Sequence, residues 1–132
     1  MTIKTGEIVT AFYKTGKYIG EVSSAQENSC TVKILAVLRH PAQGDLHHPK
    51  QVDVPFFHER KALAYTERAN MPAATVKPYD GPVPEYNDSL KEAVLSLKNR
   101  LQQDNSEFSA RSLEALQAVQ REYELMYNLT WA

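Results

Sequence analysis

The chain has 132 residues, 42% hydrophobic and 23% charged, which is typical of a folded globular domain and excludes a disordered segment. Its formal net charge of -1 gives no overall positive field that would attract a nucleic-acid backbone or an anionic membrane. A single cysteine excludes an intrachain disulfide framework, and the longest aliphatic run, residues 34–38, is too short to span a bilayer.

The first half of the chain has the composition of a small β domain. Over residues 1–80, β-branched and aromatic residues cluster in short runs separated by Gly, Pro, Asn and Ser. We predict strands over residues 6–13 and 18–22, joined by a turn in which Gly16 adopts a positive φ. A long curved strand over residues 30–38 follows.

The next segments predict the remaining strands of this half. We expect strands over residues 51–57 and 61–66, a single helical turn over residues 71–74, and a last strand over residues 75–77. These six runs are more than the five that an SH3-like barrel with a turn before its last strand requires. We predict such a five-stranded barrel, and the pattern does not separate it from an OB-like barrel.

Residues 81–132 change to a helical period and form the acidic part of the chain, with eight acidic and five basic side chains. Asp88 or Ser89 is predicted to cap a first helix, and Ser106 or Ser109 a second. Each helix carries one apolar stripe and cannot bury it alone. We therefore predict an SH3-like β-barrel at residues 1–80 and a C-terminal antiparallel helical hairpin at residues 81–132 that packs on it. The stripes are Leu90, Ala93, Val94, Leu97 and Leu101, then Leu113, Leu116, Val119, Tyr123 and Met126 or Tyr127.

Histidine is the one concentrated chemical feature. All four histidines lie within residues 40–58, together with several carboxylates. Imidazole and carboxylate groups bind divalent metals, which makes His47, His48 and His58 candidate metal ligands. A polar or pH-sensitive contact loop explains the same residues, and so does a plain solvated loop.

No catalytic motif is present in the sequence. His58 and Glu59 resemble the start of a zinc-protease helix, but Ala62 stands where the second ligand is required. We therefore assign no catalytic residue and no cofactor.

Aromatic side chains are sufficient to line a groove for an extended peptide, although most such rings belong to cores. They are Tyr13, Tyr18, Phe56, Phe57, Tyr65 and Tyr79.

Three runs carry a resemblance to a known family. They are GEIV with FYKTGKYIGE within residues 6–21, AVLRHPAQGDLHHP over residues 36–49, and DVPFFHERKAL over residues 53–63. The chain resembles the kinase-associated protein B family, also called kinase-associated lipoprotein B, of spore-forming Gram-positive bacteria. The resemblance implies an SH3-like barrel followed by helices. It also implies an accessory role for a membrane sensor histidine kinase that feeds the sporulation phosphorelay, with no catalytic residues.

We expect a non-enzymatic regulator that contacts a sensor histidine kinase or a related phosphorelay protein. One alternative is a metal- or small-ligand-binding domain that uses the His40–His58 region, and another is a barrel-type nucleic-acid binder, which the charge disfavours. The sequence leaves the oligomeric state open. The candidate contact residues are His40, Gln43, Asp45, His47, His48, Phe56, Phe57, His58 and Arg60.

The sequence also predicts the cellular location of the protein. The first residues lack the apolar core of a secretory signal, and Cys30 follows the polar residues 26–29 rather than the apolar run of a lipoprotein signal. We therefore expect no lipid anchor and a cytoplasmic protein that is peripheral to the membrane through its kinase.

Overall fold

The structure, a computed structural model, describes residues 3–44, 57–128 and 131. Within these residues a five-stranded antiparallel sheet is followed by two helices, which confirms the predicted SH3-like fold class. The sheet has the strand order β4-β3-β2-β1-β5. Its strands are β1 Ile8–Tyr13, β2 Gly16–Ala25, β3 Ser29–Arg39, β4 Arg68–Pro72 and β5 Lys77–Pro78, with a 3₁₀ turn at Ala73–Thr75.

The sheet encloses the core because alternate side chains of its strands point inward. Val9 and Ala11 of β1 are buried, and so are Val32 and Ile34 of β3. Both helices contribute most of their predicted apolar stripes to the same hydrophobic cluster, in which Leu90 is fully buried. Leu113 is not part of this cluster, and of the two alternatives at the end of the second stripe Tyr127 packs against it while Met126 is 57% exposed. The division of the chain into domains at residues 1–80 and 81–132 stays a prediction.

The two helices are α1 Tyr86–Gln103 and α2 Glu107–Met126. Helix α1 begins at Tyr86, before the predicted caps, so that Ser89 lies inside the helix. The Ser89 hydroxyl donates to the Tyr86 carbonyl at 2.7 Å and accepts the Val37 N–H of β3 at 2.9 Å. Ser106 caps α2 as one of the two predicted candidates, since its side chain accepts the Ser109 N–H at 3.1 Å.

Three local predictions are wrong. Neither Asp88 nor Ser89 caps the first helix, because the N-cap residue of α1 is Glu85 and both candidates lie within the helix. Residues 61–66 form no strand, and the next strand is β4 at Arg68–Pro72. The positive φ in the first hairpin lies at Lys14, with φ 53°, while Gly16 begins β2. The hairpin itself is confirmed by the antiparallel register of β1 and β2.

The other short elements lie close to where they were predicted. The helical turn expected at residues 71–74 is the 3₁₀ turn Ala73–Thr75, and the last strand is β5. Of the strand predicted at residues 51–57, all but Phe57 lies outside the described residues, and Phe57 is in no strand. No helix in the described part of the chain has the length and apolar character needed to cross a membrane.

We expect Gly20→Ala to destabilise the protein by about 2–3 kcal/mol, because β2 and β3 cross closely at this residue. An added Cβ would stand 2.5 Å from the Lys33 carbonyl oxygen and would also overlap Val32. Urea unfolding measures the change. Gly81→Ala is the matched control, since its Cβ would meet only the side chain of Tyr79, which can move. Equal losses in the two variants would contradict the close crossing.

Candidate functional site

Three tyrosine hydroxyls hold the segment that replaces the predicted strand at residues 61–66. The Ala62 N–H donates to the Tyr123 hydroxyl at 2.7 Å, and the Leu63 N–H donates to the Tyr18 hydroxyl at 3.2 Å. The Tyr86 hydroxyl donates to the Leu63 carbonyl at 2.6 Å. A buried backbone N–H or carbonyl needs a hydrogen-bond partner. Here the tyrosine hydroxyls provide the partners that a neighbouring strand would provide in a sheet. The segment is therefore fixed between the sheet and both helices without being a strand.

Burial keeps these hydroxyls protonated. It raises the pKa of Tyr18 to about 12, against the hydrogen bond from Leu63 that opposes the change. Burial also raises the pKa of Tyr86 and of Tyr123 above the usual value for tyrosine. The three hydroxyls therefore stay neutral donors and acceptors across the physiological pH range.

His40 lies beneath the surface and is a structural group. It is 1% exposed, its Nδ1 lies 3.0 Å from the Pro41 carbonyl oxygen, and its Nε2 lies 2.8 Å from the Tyr123 hydroxyl. Because a carbonyl only accepts, the neutral ring carries its proton on Nδ1, and Nε2 accepts from Tyr123. Both ring nitrogens are engaged within the fold.

Gln43 clamps the two ends of the histidine-containing region together. Its side chain is 5% exposed and donates to the carbonyl oxygens of Pro41 and Arg60, while its Oε1 accepts the Arg60 N–H at 2.9 Å. The Arg60 guanidinium donates from Nε to the Gly44 carbonyl at 3.0 Å. Residues 41–44 and 58–60 therefore form one rigid unit.

Phe57 attaches this unit to the helical hairpin. Its ring lies 5.8 Å from that of Phe108 on α2, and the Arg111 guanidinium lies 5.3 Å from its centroid. Phe57 is half-buried, and its ring packs close to Gly44. Of the candidate contact residues, the structure brings His40, Gln43, Phe57 and Arg60 together, with His58 exposed beside them. Asp45, His47, His48 and Phe56 lie outside the described residues.

The exposed face of this unit is polar and charged. His58, Glu59 and Lys61 are exposed, and Lys61 forms an ion pair of 2.8 Å with Glu122 of α2. A small depression of about 190 Å³ lies beside them, and it is lined among others by Lys14 and Arg60. We call the exposed residues His58, Glu59 and Lys61 the charged patch.

The metal hypothesis obtains no support from the part of the chain that is described. His40 has both nitrogens occupied, and residues 3–44, 57–128 and 131 contain no group of three His, Cys, Asp or Glu side chains close enough to share a metal ion. His47 and His48 lie outside those ranges.

A second surface lies on the other side of the tyrosine-held segment. Tyr65, Tyr86 and Tyr127 line an open groove of about 570 Å³ together with Leu35, Val83 and Pro84. The sequence pointed to Tyr65 but missed the other two tyrosines as groove residues. For Tyr127, the C-cap residue of α2, the available signal was its spacing of four residues from Tyr123, because this spacing places both rings on one helix face.

Tyr123→Phe should lower the free energy of unfolding by about 2–4 kcal/mol. The change leaves the Ala62 N–H and the acceptor nitrogen of His40 buried without their partner. Urea unfolding gives the difference. In the control variant Tyr79→Phe, the lost partner is the exposed Pro82 carbonyl, which water can reach, so a loss below about 0.5 kcal/mol is expected. A loss for Tyr123→Phe no larger than the control would contradict the proposed bonding.

His40 should make the protein less stable as the pH falls from about 6.5 to about 4. Burial lowers the pKa of His40 to about 4 from the usual 6.5, so in this range the unfolded chain binds a proton that the folded protein does not. The difference corresponds to about 3 kcal/mol, present above pH 6.5 and lost below pH 4. Unfolding measured in urea across this range, for wild type and His40→Gln, isolates the effect. An unchanged pH slope in the variant would refute it.

Comparisons with known proteins agree with this architecture. The sequence model of the family described as Kinase associated protein B matches residues 13–124. The chain is similar to Kinase-associated lipoprotein B of Bacillus subtilis (strain 168), with 57% identity over 122 residues, 92% of this chain and 95% of that protein. It is also similar to the crystal structure of kinase-associated protein B from Bacillus cereus, with a TM-score of 0.80 and 45% identity over 93% of this chain and 99% of that one. The chain therefore belongs to the kinase associated protein B family.

Proposed function

We propose that the chain is a non-enzymatic accessory protein of a sensor histidine kinase of the sporulation phosphorelay and that it acts by protein-protein contact. The family and its relative from Bacillus subtilis are both named for association with a kinase, which supports a kinase as the partner. The observation that carries the contact mechanism is the rigid support beneath the charged patch.

This support prepares the charged patch for binding. The Gln43 clamp fixes the backbone at Arg60, and the tyrosine bonds fix it at residues 62 and 63. The Gly44 N–H also donates to the His58 carbonyl at 2.9 Å. A surface that is already ordered loses less conformational entropy when a partner binds. In this proposal His40 and Gln43 act from below, as supports, and the charged patch makes the contact.

The charges of the patch indicate what kind of surface it meets. Lys14, Arg60 and Lys61 surround the small depression with a single carboxylate, Glu59, among them. Complementary charge steers association and sets specificity, so this face suits an acidic region of the kinase.

We also propose that the protein is cytoplasmic and reaches the membrane through the kinase, without a lipid on Cys30. Cys30 lies in β3, is 3% exposed, and pairs with Met71 of β4. Lipoprotein processing leaves the modified cysteine at the N-terminus, so processing here would remove β1 and β2, which form the centre of the sheet.

Reversing the positive charges beside the depression should weaken the complex with the kinase without unfolding the protein. We expect the double variant Lys14→Glu and Lys61→Glu to bind the purified kinase at least about ten-fold more weakly and to lose the effect on its autophosphorylation. The stability should change by less than about 1 kcal/mol, because Lys61 and Glu122 form an exposed ion pair.

The control is Arg100→Glu, which reverses an exposed charge in the last turn of α1. It should bind the kinase like the wild type. Unchanged kinase binding by the patch variant would exclude this surface. The lack of any complex between wild type and kinase, with unchanged autophosphorylation, would refute the direct mechanism.

A further inference from the structure

The aromatic groove is a surface apart from the charged patch. It is lined by residues far apart in the sequence: Leu35 of β3, Tyr65, Val83 and Pro84 before α1, and Tyr127 at the C-cap of α2. A second depression of about 370 Å³ continues beyond Pro84 and is lined by Val37 and Leu38 of β3 and by α1. The two depressions share Pro84 as a lining residue and are adjacent, and we call them together the tyrosine groove.

The rings of the tyrosine groove form a continuous aromatic array. The Tyr65 and Tyr86 centroids are 5.9 Å apart, and those of Tyr86 and Tyr127 are 6.1 Å apart in an edge-to-face arrangement. Tyr65 is 55% exposed, Tyr127 is partly buried, and Tyr86 is 6% exposed. The array therefore shows aromatic surface to solvent beside the buried ring of Tyr86.

The backbone around the groove is held in two irregular conformations. Leu35 has no partner in β2, because the register shifts between Ile19 paired with Ala36 and Gly20 paired with Ile34. Such bulges redirect side chains, and here the bulged residue lines the groove. Next to Tyr65, Thr66 has a φ of 69°, which a β-branched residue rarely adopts and which costs about 1–3 kcal/mol.

Several hydrogen bonds keep Tyr65 exposed despite this strain. The Thr66 N–H donates to the Ile34 carbonyl at 2.7 Å, and the Glu67 N–H donates to the Ala64 carbonyl at 3.1 Å. The Glu67 carboxylate accepts the Ala64 N–H at 2.8 Å. These bonds hold Thr66 in a backbone conformation that is unfavourable for threonine, and in this conformation the Tyr65 side chain is exposed to solvent.

The charge of the groove selects the kind of partner. Glu85 lines the first depression, and Asp88 and Glu92 line the second. Among the described residues, no lysine or arginine lines either depression. The groove therefore combines an aromatic surface with negative charge along its length, and it suits an apolar ligand that carries positive charge.

We propose that the tyrosine groove binds an extended, proline-containing segment that carries a positively charged residue. A polyproline II segment presents flat pyrrolidine rings that pack on aromatic side chains, and its conformation is set before binding. Its carbonyl groups make no internal hydrogen bonds, and the amide of Asn87 in the groove can donate to them. The positive residue pairs with the carboxylates along α1.

The test uses fluorescein-labelled synthetic peptides and fluorescence anisotropy with the full chain and no kinase present. The probe is Arg-Pro-Leu-Pro-Pro-Leu-Pro, and its matched control has Glu in place of Arg. We expect the basic peptide to bind with a Kd on the order of 10–100 µM and the acidic peptide to bind at least about ten-fold more weakly.

Two variants locate the site. Tyr65→Ala removes an exposed ring and should weaken binding of the basic peptide by at least about ten-fold. The double variant Glu85→Lys and Asp88→Lys should reverse the preference between the basic and acidic peptides. Leu125→Ala is the control, since Leu125 is 84% exposed near the end of α2 and outside the groove; it should bind like the wild type.

The outcomes separate the proposal from its competitors. Absence of binding by both peptides, equal binding of both, or unchanged binding by Tyr65→Ala would overturn it. Tighter binding in the groove of a basic amphipathic helical peptide than of the proline peptide would replace it with a helix-binding site. Because no kinase is present and the charged patch is unaltered, the result is independent of the proposed kinase contact.

Discussion

The structure depends on the convergence of three buried tyrosine hydroxyls on the backbone of residues 62 and 63. Tyr18 comes from the sheet, Tyr86 from α1 and Tyr123 from α2, so a two-residue segment joins all the layers of the fold. A hydroxyl can donate once and accept twice, and Tyr123 uses this capacity to bond both Ala62 and His40. Because the environment is buried, each bond is expensive to lose, and the layers are held in a single arrangement.

The hydrogen bonds of these tyrosines support two different surfaces of the protein. Toward the sheet loops, they continue through His40 and Gln43 and support the charged patch. Toward the N-terminus of α1, they anchor Tyr86, whose ring supports Tyr65 and Tyr127 in the tyrosine groove. One polar network within an apolar core thus orders two chemically different surfaces, one charged and one aromatic with acidic flanks. Two surfaces on one rigid fold allow a small protein to contact two parts of a partner or two partners.

One strained residue, Thr66, lies at the edge of this network. Thr66 adopts a left-handed conformation immediately after the tyrosine-held segment, where the chain must turn from that segment into β4. Hydrogen bonds from neighbouring residues hold it there, and the result is an exposed Tyr65. Strain in such a position is typical of a site that is maintained for binding rather than for stability.

Much of the architecture could be predicted from the sequence, because it rests on local periodicity. The β-branched runs of β1 to β3, the Ser106 cap and the two apolar stripes each act within a few residues, and the resemblance over three runs indicated the family. Residues 61–66 could not be predicted in this way, since their composition favours a strand while their hydrogen bonds go to tyrosines from distant elements. The roles of His40 and Gln43 as buried supports, and the joining of Tyr65, Tyr86 and Tyr127 in one groove, were decided only by tertiary structure. The physical reason is that burial and hydrogen-bond partners are set by residues up to 83 positions away, which no local pattern contains.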